Sequence, residues 1–375
     1  MSGAAGVRTG APGSPVGFAE DAEVLHPTPR EFRVTRVKAP RVWIIDEEWD
    51  SVDVEIGLIR ESYPDAQILH SSYNYEDDLD SFGRTCDVLI AQVYAPLPAS
   101  TIERLECCRG IAVMGGGFDR VDVGAAGRRG IAVTNVQGYC AEDLAQYVLT
   151  AILTHAKPLV SAVGPEGPRP WGLQAYPVLP RRVADQTLLI VGYGRIGRTV
   201  ARRARALGMR VLATDPRPDT RKLSEDSVEL VAWDEGFRRA DVVSVHCALT
   251  DATAGIIGEH EFALMGRDSL LVNTARGAIL DERALADALR SGAIGGAVLD
   301  VVTHEPPDFT EEIFRVPGVF VTPHVSYVSY ESISELRSRS VRNALAMFEG
   351  AIPDDCVNGG ALPPLQLAPS DGKNA

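Results

Sequence analysis

VGYGRIGRTVARRARALGMRVLATD, residues 191–215, decides the fold. The apolar strand TLLIV runs into Gly192, Gly194 and Gly197, spaced G-x-G-x-x-G, and a helical pattern follows at once. Ile196, Val200, Ala204 and Leu207 fall on one face of that helix. The first glycine permits a tight turn, the second lets backbone approach a pyrophosphate, and the third lets helix pack closely on strand. The helix N-terminus turns unpaired N–H groups and the positive end of its dipole toward phosphate. Asp215 ends the next strand 18 residues after Gly197, the spacing of an acid on an adenine ribose. An ordinary βα turn with a helix-capping Asp is the alternative. A carboxylate at this place accepts from a free 2′-OH and repels a 2′-phosphate, which favours NAD over NADP.

Outward from that stretch, short apolar runs alternate with helical patterns. RVLATD (210–215), DVVSVHC (241–247), SLLVNTARG (269–277), GAVLDVV (296–302) and VFVTPH (319–324) continue the series begun by TLLIVGYG (187–194). An earlier series reads VWIID (42–46), AQILH (66–70), CDVLIAQ (86–92), GIAVMGG (110–116) and GIAVTN (130–135). Alternation of this kind predicts two α/β lobes, each with a parallel sheet covered on both faces. GYCAEDLAQYVLTAILTHAKPLV is an apolar-rich helix candidate joining the series, and the Pro/Gly-rich VGPEGPRPWGLQAYPVLPRR after it predicts a surface loop. The last helical pattern places Val341, Ala344, Leu345 and Phe348 on one face. The expected organisation is a tail over 1–38, a substrate lobe beginning at 39–138, a nucleotide lobe over 139–327, a helix over 328–358 returning to the first lobe, and a tail over 359–375.

Composition bounds the partners. The chain of 375 residues is 45% hydrophobic and 23% charged, an ordinary globular balance. A net charge of −14 argues against nucleic acid or an anionic membrane as partner. No apolar run reaches the ~18 residues of a membrane span, and the N-terminus lacks the apolar core of a secretory signal. Six cysteines without a CxxC pair are too sparse for a disulfide scaffold or a zinc site, and they predict reduced thiols in a cytoplasmic protein. The 33 arginines against 4 lysines are read as coding bias and carry no chemistry.

Three residues beyond the nucleotide turn suggest a reaction. Arg276 sits in NTARG, Glu305 precedes Pro306, and His324 ends VTPH, each just after a strand of the second series. Ligands of open α/β sheets bind outside the carboxyl ends of strands. An Arg there offers a planar fork to a carboxylate, and an acid beside an imidazole suits proton transfer at a carbinol carbon. Taken singly, each has a plainer reading: a structural ion pair, a solvated loop acid, a surface histidine.

These motifs together resemble the D-isomer-specific 2-hydroxyacid dehydrogenase family over about residues 40–358. GGGFDRVDV, VGYGRIG, HCALT, LLVNTARGAILDERALADAL, GGAVLDVVTHEPP and VTPH stand in family order. The resemblance implies a Rossmann-type NAD-binding domain inserted into a flavodoxin-like substrate domain. It implies a catalytic set of Arg276, Glu305 and His324, and a glycine turn, Gly115, Gly116 and Gly117, that holds the substrate carboxylate. It extends the NAD-binding set to Arg195, Ile196, His246, Thr253, Thr274, Ala275 and Asp300, the last near the nicotinamide, and gives Tyr327 as a pocket aromatic. It implies no metal, a homodimer, and a small 2-keto or 2-hydroxy acid as substrate. GFDRVDVGAAGRRGIAVTNV and IPDDCVNG resemble the C-terminal binding protein branch, whose eukaryotic members are NAD(H)-responsive co-repressors. Against the usual pattern, Val113, Gln146, Val148 and Tyr327 stand where an Arg, an acid, a Thr and that branch's Trp are expected. Two other readings are an NAD(H)-sensing scaffold, and an oxidoreductase of a phosphonate or phosphorylated hydroxy acid.

Overall fold

Trp43 and Ile45 enter one hydrophobic cluster while Val42 and Ile44 enter another, so the first strand is buried on both faces. The computed structural model describes residues 39–157, 172–175 and 179–361. The expected N-terminal tail, most of the Pro/Gly-rich loop and residues 362–375 lie outside them. The first sheet holds β1 (Arg41–Ile45), β2 (Gln67–Ser71), β3 (Val88–Gln92), β4 (Gly110–Met114) and β5 (Ala132–Thr134). Its order is β2-β1-β3-β4-β5 and every pairing is parallel.

The second sheet holds β6 (Thr187–Val191), β7 (Arg210–Thr214), β8 (Glu229–Leu230), β9 (Val242–Val245), β10 (Leu270–Asn273), β11 (Gly296–Leu299) and β12 (Val319–Val321). Its order is β12-β11-β10-β9-β6-β7-β8, again parallel throughout. β6 lies between β7 and β9, so the chain changes direction there, and the carboxyl ends of β6 and β9 open a crevice. Both sheets are Rossmann-like or flavodoxin-like in strand order. Strand β8 has no counterpart in the sequence reading. Its two residues are exposed, so no buried apolar run marks them.

The helix Ala141–Ala156 packs on the second lobe through Ala145, Val148, Ala151 and Ile152, against Val200, Ala201 and Ala204 of the helix Arg195–Ala206. Of the face expected on the latter helix, Val200 and Ala204 are buried, whereas Leu207 is its C-cap and 37% exposed. The helix Tyr330–Phe348 returns to the first lobe, where Leu336, Val341, Ala344, Leu345, Met347 and Phe348 close one face of the sheet. Gly359–Ala361, placed in the expected second tail, forms a 3-10 turn.

One ion pair fastens that returning helix. Glu55, with no exposed surface, accepts from Arg337 Nε and Nη2, both at 2.6 Å. Such a pair adds little when intact, but losing one partner strands a buried charge. Arg337→Leu is therefore expected to destabilise the protein by about 3 kcal/mol. The double variant Glu55→Leu/Arg337→Leu is expected to recover most of the loss in urea unfolding.

Candidate active site

The carboxyl ends of both sheets line one cleft of about 780 Å³. From the second lobe come Gly194, Arg195, Ile196, His246, Thr274, Ala275, Arg276, His324 and Tyr327; from the first come Tyr94 and the turn Gly115–Gly117.

The three nucleotide-turn glycines meet three different constraints. Gly192 has φ +95°, and a Cβ on it would lie 2.7 Å from the Cys247 amide nitrogen. A Cβ on Gly197 would overlap the Gly192 carbonyl oxygen. A Cβ on Gly194 would meet nothing, which leaves open space above the helix N-terminus. That helix has no side-chain cap, so its first N–H groups are available to an anion. Asp215 accepts from the Tyr193 and Arg217 amides at 2.9 and 2.8 Å, tying the end of β7 to the turn. Each carboxylate oxygen keeps a lone pair for a ribose hydroxyl. Thr274 is 6% exposed, lines the cleft, and its Oγ1 has no partner. A buried hydroxyl without a partner is costly, and a ligand in the cleft satisfies it. Burial pushes His246 down to about 3, so its ring is neutral, with Nε2 2.8 Å from Ser244 Oγ. Open space, free amides, an acid at the next strand end and an orphaned hydroxyl together fit a dinucleotide.

The reactive end is built on β10, β11 and β12. Arg276 follows β10; a Cβ on the next residue, Gly277, would overlap Val302, so only glycine lets the chain pass there. Arg276 Nε and Nη2 donate to Asp119 Oδ1 at 3.2 and 3.1 Å, and Nη1 donates to the Ala275 carbonyl at 2.7 Å. The guanidinium lies directly on Gly117, where a Cβ would overlap Nη2. His324 Nδ1 donates to Glu305 Oε2 at 2.7 Å, while Val302 N–H donates to Glu305 Oε1 at 3.1 Å. Burial pushes the Glu305 carboxyl up, but the His324 hydrogen bond and charge, the Val302 amide and Arg276 outweigh it and hold it below its ordinary value. With Nδ1 engaged, Nε2 is the nitrogen left for a reacting group.

Tyr327 stands edge-on to His324 with ring centroids 6.1 Å apart, and to Tyr139 at 6.2 Å. Burial pushes its hydroxyl up to about 12. Gly115 is packed against Val93, whereas Gly116 faces open space with only Tyr139 near.

Five expected cofactor residues stand outside the cleft lining: Gly192, Gly197 and Asp215, whose surroundings are given above, and Thr253 and Asp300. Thr253 closes a local turn, donating to the Ala248 carbonyl and accepting from the Thr250 amide, each at 2.7 Å. Asp300 is 1% exposed, and its carboxylate is taken up by residues 322–326. Three residues absent from the sequence reading join the site. Tyr94 Oη lies 2.8 Å from His324 Nδ1, and burial keeps it a phenol. Asp119 pairs with Arg276. Asn135 Nδ2 donates to the Gly116 carbonyl at 2.6 Å and steadies the glycine turn. Tyr94 lies two residues past the central strand β3, at the carboxyl end where open sheets bind ligands. Asp119 lies inside GGGFDRVDV, where no local pattern marks it as the partner of Arg276. Among the described residues no cluster of three or more His, Cys, Asp or Glu suits a metal ion, and no helix is long and apolar enough to cross a membrane.

Residues 167–326 match the family model for the D-isomer specific 2-hydroxyacid dehydrogenase NAD binding domain. The chain is 36% identical over 279 residues to a glyoxylate reductase of Korarchaeum cryptofilum, covering 73% of this chain and 83% of that protein. It is 34% identical over 263 residues to a glycerate dehydrogenase of Methylorubrum extorquens, covering 68% and 81%. Among solved structures, D-lactate dehydrogenase from Aquifex aeolicus, complexed with NAD and lactic acid, aligns with a TM-score of 0.74 at 25% identity over 85% of this chain and 99% of that one. The chain belongs to the D-isomer-specific 2-hydroxyacid dehydrogenase family, as an NAD-dependent oxidoreductase of 2-keto and 2-hydroxy acids.

Proposed function

We propose that the chain reduces a small 2-keto acid, of the size of glyoxylate or hydroxypyruvate, to the D-2-hydroxy acid, and runs the reverse reaction at higher pH. The observation that carries this reading is the Glu305–His324 pair, at 2.7 Å, whose histidine lines the same cleft as Arg276 and the Gly115–Gly117 turn. Arg276 and the turn's N–H groups bind the carboxylate and polarise the neighbouring carbonyl. NADH, when bound, supplies the hydride. Protonated His324 gives its Nε2 proton to the carbonyl oxygen, while ionised Glu305 fixes the tautomer and stabilises the imidazolium. In oxidation the neutral imidazole takes the hydroxyl proton. Tyr94, Tyr139 and Tyr327 crowd the cleft, which supports a small substituent on the keto carbon. Relatives at 30% identity or more carry the names of glyoxylate, glycerate and hydroxypyruvate enzymes, which supports catalysis over a sensing or scaffold role. Within the same reading the working form is a cytoplasmic homodimer without nucleic acid as partner, in keeping with the net charge of −14.

A panel of 2-keto acids with NADH tests the activity; no turnover on any of them overturns it. Asp215 is expected to favour NADH over NADPH by at least about tenfold in affinity, roughly 1.4 kcal/mol. Asp215→Ser is expected to relax that preference, and tighter NADPH binding by the native protein contradicts the assignment.

Arg276→Lys keeps charge but loses the fork, so kcat/KM is expected to fall by about a hundredfold or more with NADH affinity little changed. Gly117→Ala tests the same clamp from the other side. The new methyl displaces the side-chain ends of Arg276 and Asp119 and no backbone, so the melting temperature is expected to hold while kcat/KM drops by about tenfold or more.

Because the Glu305 carboxyl is held below its ordinary value, its charge persists as pH falls through the ordinary carboxylate range and is lost only below it. Native reduction is therefore expected to keep its rate through that range. Glu305→Gln removes the charge that favours imidazolium, so the alkaline limb of kcat in reduction is expected to move to lower pH. Unmoved limbs, with chemistry rate-limiting, would remove Glu305 from the site.

A further inference from the structure

Three arginines of the helix Arg195–Ala206 converge on one acid that no sequence motif marks. Arg198, Arg202 and Arg205 stand at i, i+4 and i+7, on one helix face. Asp226, the C-cap of the helix Thr220–Glu225, receives them. Its Oδ2 accepts from Arg198 Nε, its Oδ1 from Arg202 Nε at 2.7 Å, and its carbonyl from Arg205 Nη1 at 2.8 Å. Arg205 also donates to the carbonyl of Ser227, whose φ of +51° persists because its surroundings hold it. A further donor comes from the nucleotide turn itself. Tyr193, between Gly192 and Gly194, is 5% exposed, and its hydroxyl donates to Asp226 Oδ2 at 2.9 Å. Burial and the Asp226 carboxylate keep that hydroxyl a phenol. Burial pushes the Asp226 carboxyl up, but the bonds from Arg198, Arg202 and Tyr193 outweigh it and hold it below its ordinary value. Tyr193 is thus strung between two carboxylates, its amide donating to Asp215 and its hydroxyl to Asp226. The arginine excess has no chemistry when read from sequence, yet three of these arginines have a place in the cofactor lobe.

We propose that Asp226 is the positioning residue of the nucleotide turn and a determinant of cofactor choice: through Tyr193 it fixes the amide that Asp215 accepts, and it offsets the charges of Arg198 and Arg202 beside that acid. The inference rests on Asp215 as the ribose acid, proposed above. The turn presents free amides to a pyrophosphate and Asp215 to a ribose at once, and a middle residue bonded at both ends has little freedom to tilt. Arg198 also donates to Glu225 at 2.9 Å, whereas Arg202 has Asp226 alone among the described acids. Loss of the Asp226 charge therefore leaves this side of the turn one positive charge richer. Only Tyr193 separates it from Asp215, well inside the Debye length of about 30 Å at 0.01 M salt. An added positive charge there favours a 2′-phosphate.

Titrations of the full chain with NADH and NADPH, followed by nicotinamide fluorescence, test this without turnover. Asp226→Asn is expected to weaken NADH binding by about tenfold or more, and to narrow the preference for NADH over NADPH by about threefold or more. With a keto acid that turns over, kcat at saturating NADH is expected to stay within about threefold of native. The narrowing is a charge effect, so it is expected at about 0.01 M salt and is expected to vanish at about 1 M, where the Debye length is about 3 Å. Tyr193→Phe leaves both arginine pairs in place. It is expected to weaken NADH by about threefold or more with a native salt dependence, and it decides the positioning role if the Asn variant does not fold. Arg203→Ala breaks the pair that the same helix makes with Glu142, and its NADH affinity is expected to stay within about twofold of native. Native NADH affinity in folded Asp226→Asn or Tyr193→Phe would overturn the proposal. An equal loss in Arg203→Ala would do so too, by making the effect a general loosening of the helix. A preference unmoved at low salt would remove the role in cofactor choice. If Asp215→Ser leaves the native preference intact, the ribose reading of Asp215 fails, while the NADH affinities of Asp226→Asn and Tyr193→Phe still report on Asp226.

Discussion

The hydrogen bond from His324 Nδ1 to Glu305 is the interaction on which the rest of the site depends. It fixes which ring nitrogen faces the cleft, and it keeps a half-buried carboxylate charged against the pull of desolvation. Neither partner lies on a strand. Both sit in loops just past β11 and β12, so their meeting is set by how those neighbouring parallel strands end. The remaining architecture delivers a carboxylate clamp and a dinucleotide site to the same place.

Much of this was legible in the sequence, for definite physical reasons. Parallel strands buried on both faces read as continuous apolar runs, and so the strands carrying the site are recoverable. The glycine spacing is equally legible, because Gly192 and Gly197 each sit where a Cβ would strike backbone. Strand β8 was not, since two exposed residues at a sheet edge leave no hydrophobic signature. Leu207 shows the opposite failure: the periodicity continues one turn past the point where the helix still faces the core.

The site was less legible than the fold, because its contacts join distant residues. Tyr94 meets His324 across 230 positions, and Asp119 meets Arg276 across 157. Nothing local in QVYAPL or GFDRVD announces either partner. Asp300 marks a further limit: its carboxylate accepts from Thr322, Val325 and Ser326, 22 to 26 positions away, contacts that no local pattern announces. The Arg276–Asp119 pair places a carboxylate of the chain itself on the fork proposed for substrate, with the guanidinium braced on Gly117. The fork is therefore already oriented in the cleft before an acid arrives, which spares the ordering cost of a free arginine.

The central claim is that this cleft moves a hydride to the keto carbon of a small acid while His324 protonates its oxygen. The most direct test is a single-turnover reaction of hydroxypyruvate or pyruvate with NADH deuterated at C4, followed by chiral analysis and mass spectrometry of the acid formed. The account predicts deuterium on C2 of the D-2-hydroxy acid with native protein, and no such product with His324→Ala. With both C4 positions deuterated, an acid formed without deuterium on C2, an L product, or an undiminished yield from His324→Ala would contradict it.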